Sequence, residues 1–326
     1  MAVSFVGDYF PSGDGSSPLQ GPSSPVVGNL ECAFSDGEVM SGKAYANVVP
    51  VRQMDELRSS GFAALSLANN HVQDAGNFLK IAEVLKSRFP NIQFFGTRNH
   101  PFARLERNGR PVLIIGCLES CRSRGAALFR QEDVESLIVR LREVSASANA
   151  EAEIYVYPHW GKEGEYTRWP SPAQQRLARR WIDAGADGVF GGHSHVFQGY
   201  EVYKGRPIFY SLGNFHFPHP ESALYEGTDT GLCVEVEGTS FTVTGTGPDQ
   251  DKVRGILEDV SAPLKSWTTW KWALAVGAFN LRKNTASWKI RLRKNFFKTL
   301  PKFLVWQCLP KTLLFRVASL FSRRGR

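Results

Sequence analysis

Short apolar runs that each stop on a polar, metal-competent side chain set the strongest limit on how this 326-residue chain can fold. AVSFVG (2–7) runs into Asp8, and PVVGNL (25–30) into Glu31. FAALSLA (62–68) runs into Asn69, Asn70 and His71, and EIYVYP (153–158) into His159. ADGVF (186–190) opens GGHSH, which carries His193 and His195. Segments with apolar residues at helical spacing stand between these runs: 49–61, 77–89, 131–144 and 171–185, the last with Pro near its start and Gly after its end. IQFFG and PVLIIGCL (111–118) read as further strands, and strand-rich segments fill 196–245. Alternation of this kind predicts an α/β fold with helices flanking sheets. In such folds the carboxyl ends of the strands line the ligand crevice, so polar residues far apart in sequence can meet in one cavity.

The donor set is two carboxylates, an amide and three or four imidazoles. Oxygen with imidazole suits Mn, Fe or Zn. There is no CxxC pair, which argues against a structural zinc finger. Each residue alone has a plain structural reading. Asp8 could cap a turn, His159 could be a satisfied core histidine, and GGHSH could be a glycine-rich turn. It is the ordered set that points to a metal site. Asn69 and Asn70 could exchange roles in it.

Charge divides the chain. Residues 264–326 hold 15 Lys or Arg, no Asp or Glu, and five of the eight Trp. The rest carries 24 basic and 31 acidic residues, a net −7. The composition shift sets a boundary near 250–264, giving a body over 1–260 and a basic, Trp-rich extension over 261–326. Within the extension, SWKIRLRKNFFKTL places Trp288, Leu292, Phe296 and Leu300 on one helical stripe flanked by cations. Such an amphipathic helix suits an anionic membrane surface or a membrane-bound synthase; packing on the acidic body is the alternative. With no base-stacking fold around the cations, nucleic acid is a poor fit. No run reaches 18 apolar residues, and MAVSFVGDYF lacks the features of a signal peptide. Five sparse cysteines form no disulfide framework. The expected location is cytoplasmic, peripheral to the inner face of the membrane.

In order, FVGD, GNLE, LSLANNHVQDAG, HWG and GGHSHVFQGYEVYKGRPIFYSLGNF resemble the CapA family of capsule and poly-γ-glutamate biosynthesis, within the calcineurin-like metallophosphoesterase superfamily. The resemblance spans roughly residues 3–240. It implies a four-layer αββα sandwich with two divalent metal ions at the sheet edges. Asp8 then matches a ligand of the first metal and Glu31 the bridging carboxylate. Asn70, His159 and His193 match ligands of the second metal, and His195 one of the first. His71 matches the superfamily's non-ligand histidine, which acts on the leaving group, with Asp74 placed to hold its ring. Arg98, Asn214 and His216 are candidates for substrate binding; Asn214 could equally be structural support. The superfamily has a histidine two residues after the first Asp, where this chain has Phe10. His216 is a spare imidazole that could fill that gap, or else a packed strand residue.

The resemblance implies a metal-dependent hydrolase acting on a phosphorylated or polymer-precursor substrate. The same groups could cleave a γ-glutamyl amide. A degenerate site would leave an accessory subunit of a polymer synthase.

Overall fold

The computed structural model describes residues 2–13, 24–37, 46–119, 127–148, 151–161, 165–218, 225–246, 249–262, 264 and 272. In chain order the elements are β1 (Val3–Tyr9), β2 (Val26–Leu30), β3 (Ala33–Phe34), β4 (Val48–Val49), β5 (Phe62–Ser66), α1 (Phe78–Arg88) and β6 (Gln93–Phe95). Then come β7 (Phe102–Arg107), β8 (Arg110–Leu118), α2 (Val134–Ser147), β9 (Glu153–His159), α3 (Pro172–Asp183) and β10 (Gly188–Phe190). The last are β11 (Tyr200–Tyr203), β12 (Arg206–Phe209), β13 (Asn214–His216), β14 (Leu232–Glu237), β15 (Ser240–Gly245) and α4 (Gln250–Ser261).

Among the described residues two large sheets form. One has the order β15-β14-β1-β2-β5-β6, with β13 also paired to β1; the other has the order β11-β12-β10-β9-β8-β7. β1, β2 and β5 run parallel, as do β8, β9, β10 and β12. The sheets face one another across a core of Phe5, Tyr155, Phe190 and Phe209. Phe5 stacks on Phe190 with ring centroids 4.0 Å apart and planes 7° apart. The Tyr157 hydroxyl crosses the interface and donates to the Val6 carbonyl. Outside the first sheet, α1 and the 3₁₀ segment Val51–Arg58 bury Met54, Leu57, Phe78, Ile81 and Leu85. Outside the second, α2 and α3 bury Val134, Ile138, Ala178 and Trp181. The result is the four-layer αββα sandwich that the family resemblance implies.

Local chemistry explains the boundaries. α3 starts at Ser171, whose side chain accepts from the Gln174 N–H while the Gln174 side chain accepts from the Ser171 N–H, with Pro172 at the first helical position. The segment 49–61, expected to be a helix, is 3₁₀ rather than α. It is a single short element entered from Pro50 and without a side-chain cap. Four elements were not anticipated: the short parallel pair β3 and β4, and β7 and α4. β7 pairs antiparallel with β8 through Asn108 and Gly109, both at positive φ, a two-residue hairpin that the Asn-Gly pair favours. α4 packs against β15 and β11, the edge strands of the two sheets, and sends Val253 and Leu257 into the core between them.

Beyond α4, Leu264 and Trp272 are buried, and the Trp272 indole N–H donates to the Trp169 carbonyl. The stripe Trp288, Leu292, Phe296 and Leu300 lies outside the described residues. Among the described residues no helix is long and apolar enough to cross a membrane.

Phe5 is fully buried between the sheets. Phe5→Ala is expected to lower unfolding stability by about 3–5 kcal/mol. Urea denaturation checks this, and a loss below ~1 kcal/mol would show that the inter-sheet core does not hold the sandwich together.

Candidate metal centre

The parallel strands of both sheets end at the same rim, which brings the polar residues together. Asp8 sits near the end of β1, Glu31 just past β2, Asn70 and His71 beyond β5, His159 at the end of β9, and His193 and His195 beyond β10. Both carboxylates have no solvent exposure, and the three imidazoles of His159, His193 and His195 are buried.

Close backbone approach makes this convergence possible. A Cβ on Gly7 would lie 1.8 Å from the Gly213 carbonyl oxygen, the group that accepts the Asp8 N–H at 2.9 Å. A bare Cα there lets β13 lie beside Asp8, with Asn214 its direct partner across the ladder. A Cβ on Gly192 would lie 3.1 Å from Asp8 Oδ1, so glycine brings the His193–His195 turn against the carboxylate. His193 and His195 both take left-handed backbone, φ 94° and 58°. Strain in non-glycine residues of this kind gathers at functional sites.

The ligand atoms form two groups that share Glu31. In Glu31, His159 and His193, and again in Asp8, Glu31 and His195, one ligand atom per residue lies within 4.8 Å of the others. Around His159 Nε2 stand Asn70 Oδ1 at 2.6 Å, His193 Nδ1 at 3.1 Å and Glu31 Oε1 at 3.5 Å. His195 Nε2 lies 3.7 Å from Glu31 Oε1, and its Nδ1 lies 3.6 Å from Asp8 Oδ2. Asp8 Oδ2 is fully buried without a hydrogen bond among the described residues. A buried carboxylate oxygen in that state is costly unless a cation meets it. One proton cannot satisfy four converging lone-pair donors, whereas a divalent ion can. Burial holds the His193 imidazole below its ordinary pKa, against the pull of Glu165, and so keeps it neutral with a lone pair to give. The residues fit two divalent ions.

Neighbouring amides orient these groups. The Asn214 Nδ2 donates to the Thr228 carbonyl at 2.9 Å, which turns its Oδ1 to accept from His195 Nδ1 at 3.0 Å. The His195 proton then sits on Nδ1 and leaves Nε2 open toward Glu31. Asn29, which sequence reasoning missed, donates from Nδ2 to Asp8 Oδ1 at 2.9 Å and to Glu31 Oε2 at 3.2 Å. Its own Oδ1 accepts from Asn69 at 3.0 Å. The available signal was its place two residues before Glu31 on an extended run, on the same side of the strand.

The two asparagines after β5 separate clearly. Asn69 builds the turn, accepting the His71 and Val72 N–H groups at its Oδ1, while Asn70 reaches His159. His71 Nδ1 donates to Asp74 Oδ2 at 2.7 Å, and Asp74 also accepts the Asn47 N–H at 3.0 Å. A cavity of about 210 Å³ opens on the site, lined by Asn70, Leu118, Glu119, His159, Trp160, Glu165 and His193.

Three candidates stand apart from these ligand groups. Arg98 is exposed, and its side chain makes no hydrogen bond or ion pair among the described residues. Asn214 is buried and committed to Thr228 and His195, which makes it a support for His195 rather than a substrate contact. His216 packs its ring 6.0 Å from Tyr9 and belongs to neither ligand group. Cys32, beside Glu31, is fully buried and its thiol is pushed well up by burial and then by Glu31, so it is a poor ligand.

Residues 17–219 match the family model of the bacterial capsule synthesis protein PGA_cap. The chain is 33% identical over 199 residues to the capsule biosynthesis protein CapA of Bacillus anthracis, covering 55% of this chain and 47% of that protein. It is 32% identical over 217 residues to the PGA biosynthesis protein CapA of Bacillus subtilis, covering 61% and 55%. The chain thus spans about half the length of the curated relatives it matches. Among solved structures, a novel phosphatase from Mycoplasma pneumoniae aligns at TM-score 0.46 with 12% identity, over 75% of this chain and 92% of that one. With the matched region running from before Glu31 to beyond His216, the chain belongs to the bacterial capsule synthesis protein PGA_cap family.

Proposed function

We propose that this chain is a metal-dependent hydrolase, acting on a phosphoester in the making or processing of a capsule or poly-γ-glutamate polymer. The observation that supports it most is the position of Glu31, one buried carboxylate common to two carboxylate–imidazole groups. Asp8, Glu31 and His195 would hold one ion, and Glu31, His159, His193 and Asn70 the other, with Mn, Fe or Zn the metals suited to this donor set. When bound, a pair of divalent ions neutralises the oxygens that repel a nucleophile and acidifies water.

The chain's own groups supply the rest. Asn29 keeps the two carboxylates from swinging apart. His71, held at Nδ1 by Asp74, would in its protonated form give its Nε2 proton to the departing oxygen. Asp74 fixes the ring and steadies the imidazolium. The same groups would serve an amide bond, so a γ-glutamyl hydrolase is the alternative within this chemistry. An accessory role in a membrane-bound synthase is the alternative outside it.

Elemental analysis of the full chain, loaded with Mn and desalted, is expected to find about two ions. Glu31→Gln should lose both, and His193→Ala should lose the ion shared with His159. Wild-type chain that binds no metal would refute the hydrolase; chain that binds two ions but cleaves neither aryl phosphodiesters nor γ-glutamyl amides would favour the accessory role.

His71→Asn should cut turnover of a phosphodiester with a poor alkoxide leaving group by roughly 100-fold or more. The same variant should cost far less with nitrophenolate, which departs without a proton. Equal losses on both substrates would remove His71 from the acid role.

The charge of the segment beyond residue 272, the greater part of the basic extension, supports a partner at an anionic membrane surface. Full chain is expected to sediment with phosphatidylglycerol vesicles at low salt, and chain ending at Trp272 to stay in solution. Equal sedimentation of the two would refute this docking.

A further inference from the structure

Among the described residues, the cation position that Asp8, Glu31 and His195 would hold has one donor fewer than its neighbour, and what surrounds His195 is aromatic. Tyr166 stacks on the imidazole with centroids 5.3 Å apart and planes 24° apart. Phe217 covers the ring at 4.8 Å and 47°, and Phe10 backs Phe217 at 5.3 Å. Tyr225 stacks behind Tyr166 at 3.9 Å and 25°. Tyr166 is buried, takes left-handed backbone at φ 61°, and donates its N–H to the Ser194 carbonyl at 2.8 Å.

A bulky aromatic residue at positive φ is a genuine outlier, retained only where its surroundings over-determine it. Here the strained backbone lets one residue grip the His193–Ser194–His195 turn twice, through Ser194 by hydrogen bond and through His195 by ring contact. With Asn214 fixing Nδ1, the imidazole is held in rotation and in tilt.

We propose that Tyr166 is a positioning residue for the three-donor cation position, compensating for the missing ligand by holding His195 ready. A mobile imidazole loses freedom when it captures an ion; one already held does not, so the same three donors bind more tightly. The proposal rests on the two-ion reading above.

The test is Mn titration of the metal-free full chain by calorimetry, with Mn paramagnetic resonance and thermal melting alongside. In Tyr166→Leu the weaker binding step is expected to weaken roughly tenfold or more, with the tighter step unchanged. Tyr166→Phe, which keeps the ring, should restore the wild-type pattern. A weaker step within about twofold of wild type in Tyr166→Leu overturns the proposal. So does equal weakening of both steps together with a lower melting temperature, the mark of a merely structural role. Should Tyr166→Leu not fold, Tyr225→Leu removes the ring behind it and is expected to weaken the same step; unchanged affinity there also overturns the proposal. Wild-type chain with no Mn binding, or Asp8→Asn with both steps intact, would instead sink the two-ion reading and this proposal with it.

Discussion

Two carboxylates shut away from water at one rim of a sandwich are the constraint on which the rest of this structure depends. Asp8 and Glu31 repel one another, and neither has solvent to screen it. Much of the neighbourhood answers that problem. Asn29 donates to both and is itself held by Asn69, and three imidazoles converge on them, with Asn214 orienting His195. Remove the cationic partner from such an arrangement and the buried charge is an uncompensated cost. That is why the site reads as a metal centre rather than as an ordinary ion-pair network.

The fold makes the arrangement possible through strand direction. Parallel strands deliver their carboxyl ends to one rim, so each β-to-α connection can place a polar residue there without interrupting the core beneath. The core is correspondingly aromatic, with Phe5, Tyr155, Phe190 and Phe209 filling the space between the sheets. Apart from the hairpin turns at Asn108 and Lys204, the left-handed non-glycine backbone among the described residues lies at the rim, in His193, His195 and Tyr166, where backbone geometry decides where an imidazole points.

Much of this could be read in the sequence because the signals were local. Apolar runs ending on Asp8, Glu31, His159 and His193 are visible as text, and strand direction does the rest. What escaped reading depended on partners far along the chain. Asn29 looks like any strand-end amide until Asn69 is seen to lock it from 40 residues away. Tyr166 looks like a loop aromatic until His195 lies under it. Arg98 follows the carboxyl end of β6, parallel to β5, and is exposed, outside both ligand groups. β7 is a different case: its Asn-Gly turn was legible, but the charged, alternating run before it hid an edge strand that buries only Ala103 and Leu105. The 3₁₀ segment at Val51–Arg58 shows the converse, with helical spacing present but the segment short and uncapped.

The site is split between the sheets: Asp8 and Glu31 ride on one, and His159, His193 and His195 on the other. The spacing of the donor atoms is therefore a gauge of how far one sheet has slid over its mate. The stacked Phe5 and Phe190 and the Tyr157-to-Val6 link act as dowels against that shear. A loosened dowel would misalign the two halves of the pocket while every strand remained paired, so ion affinity would fail before the fold does.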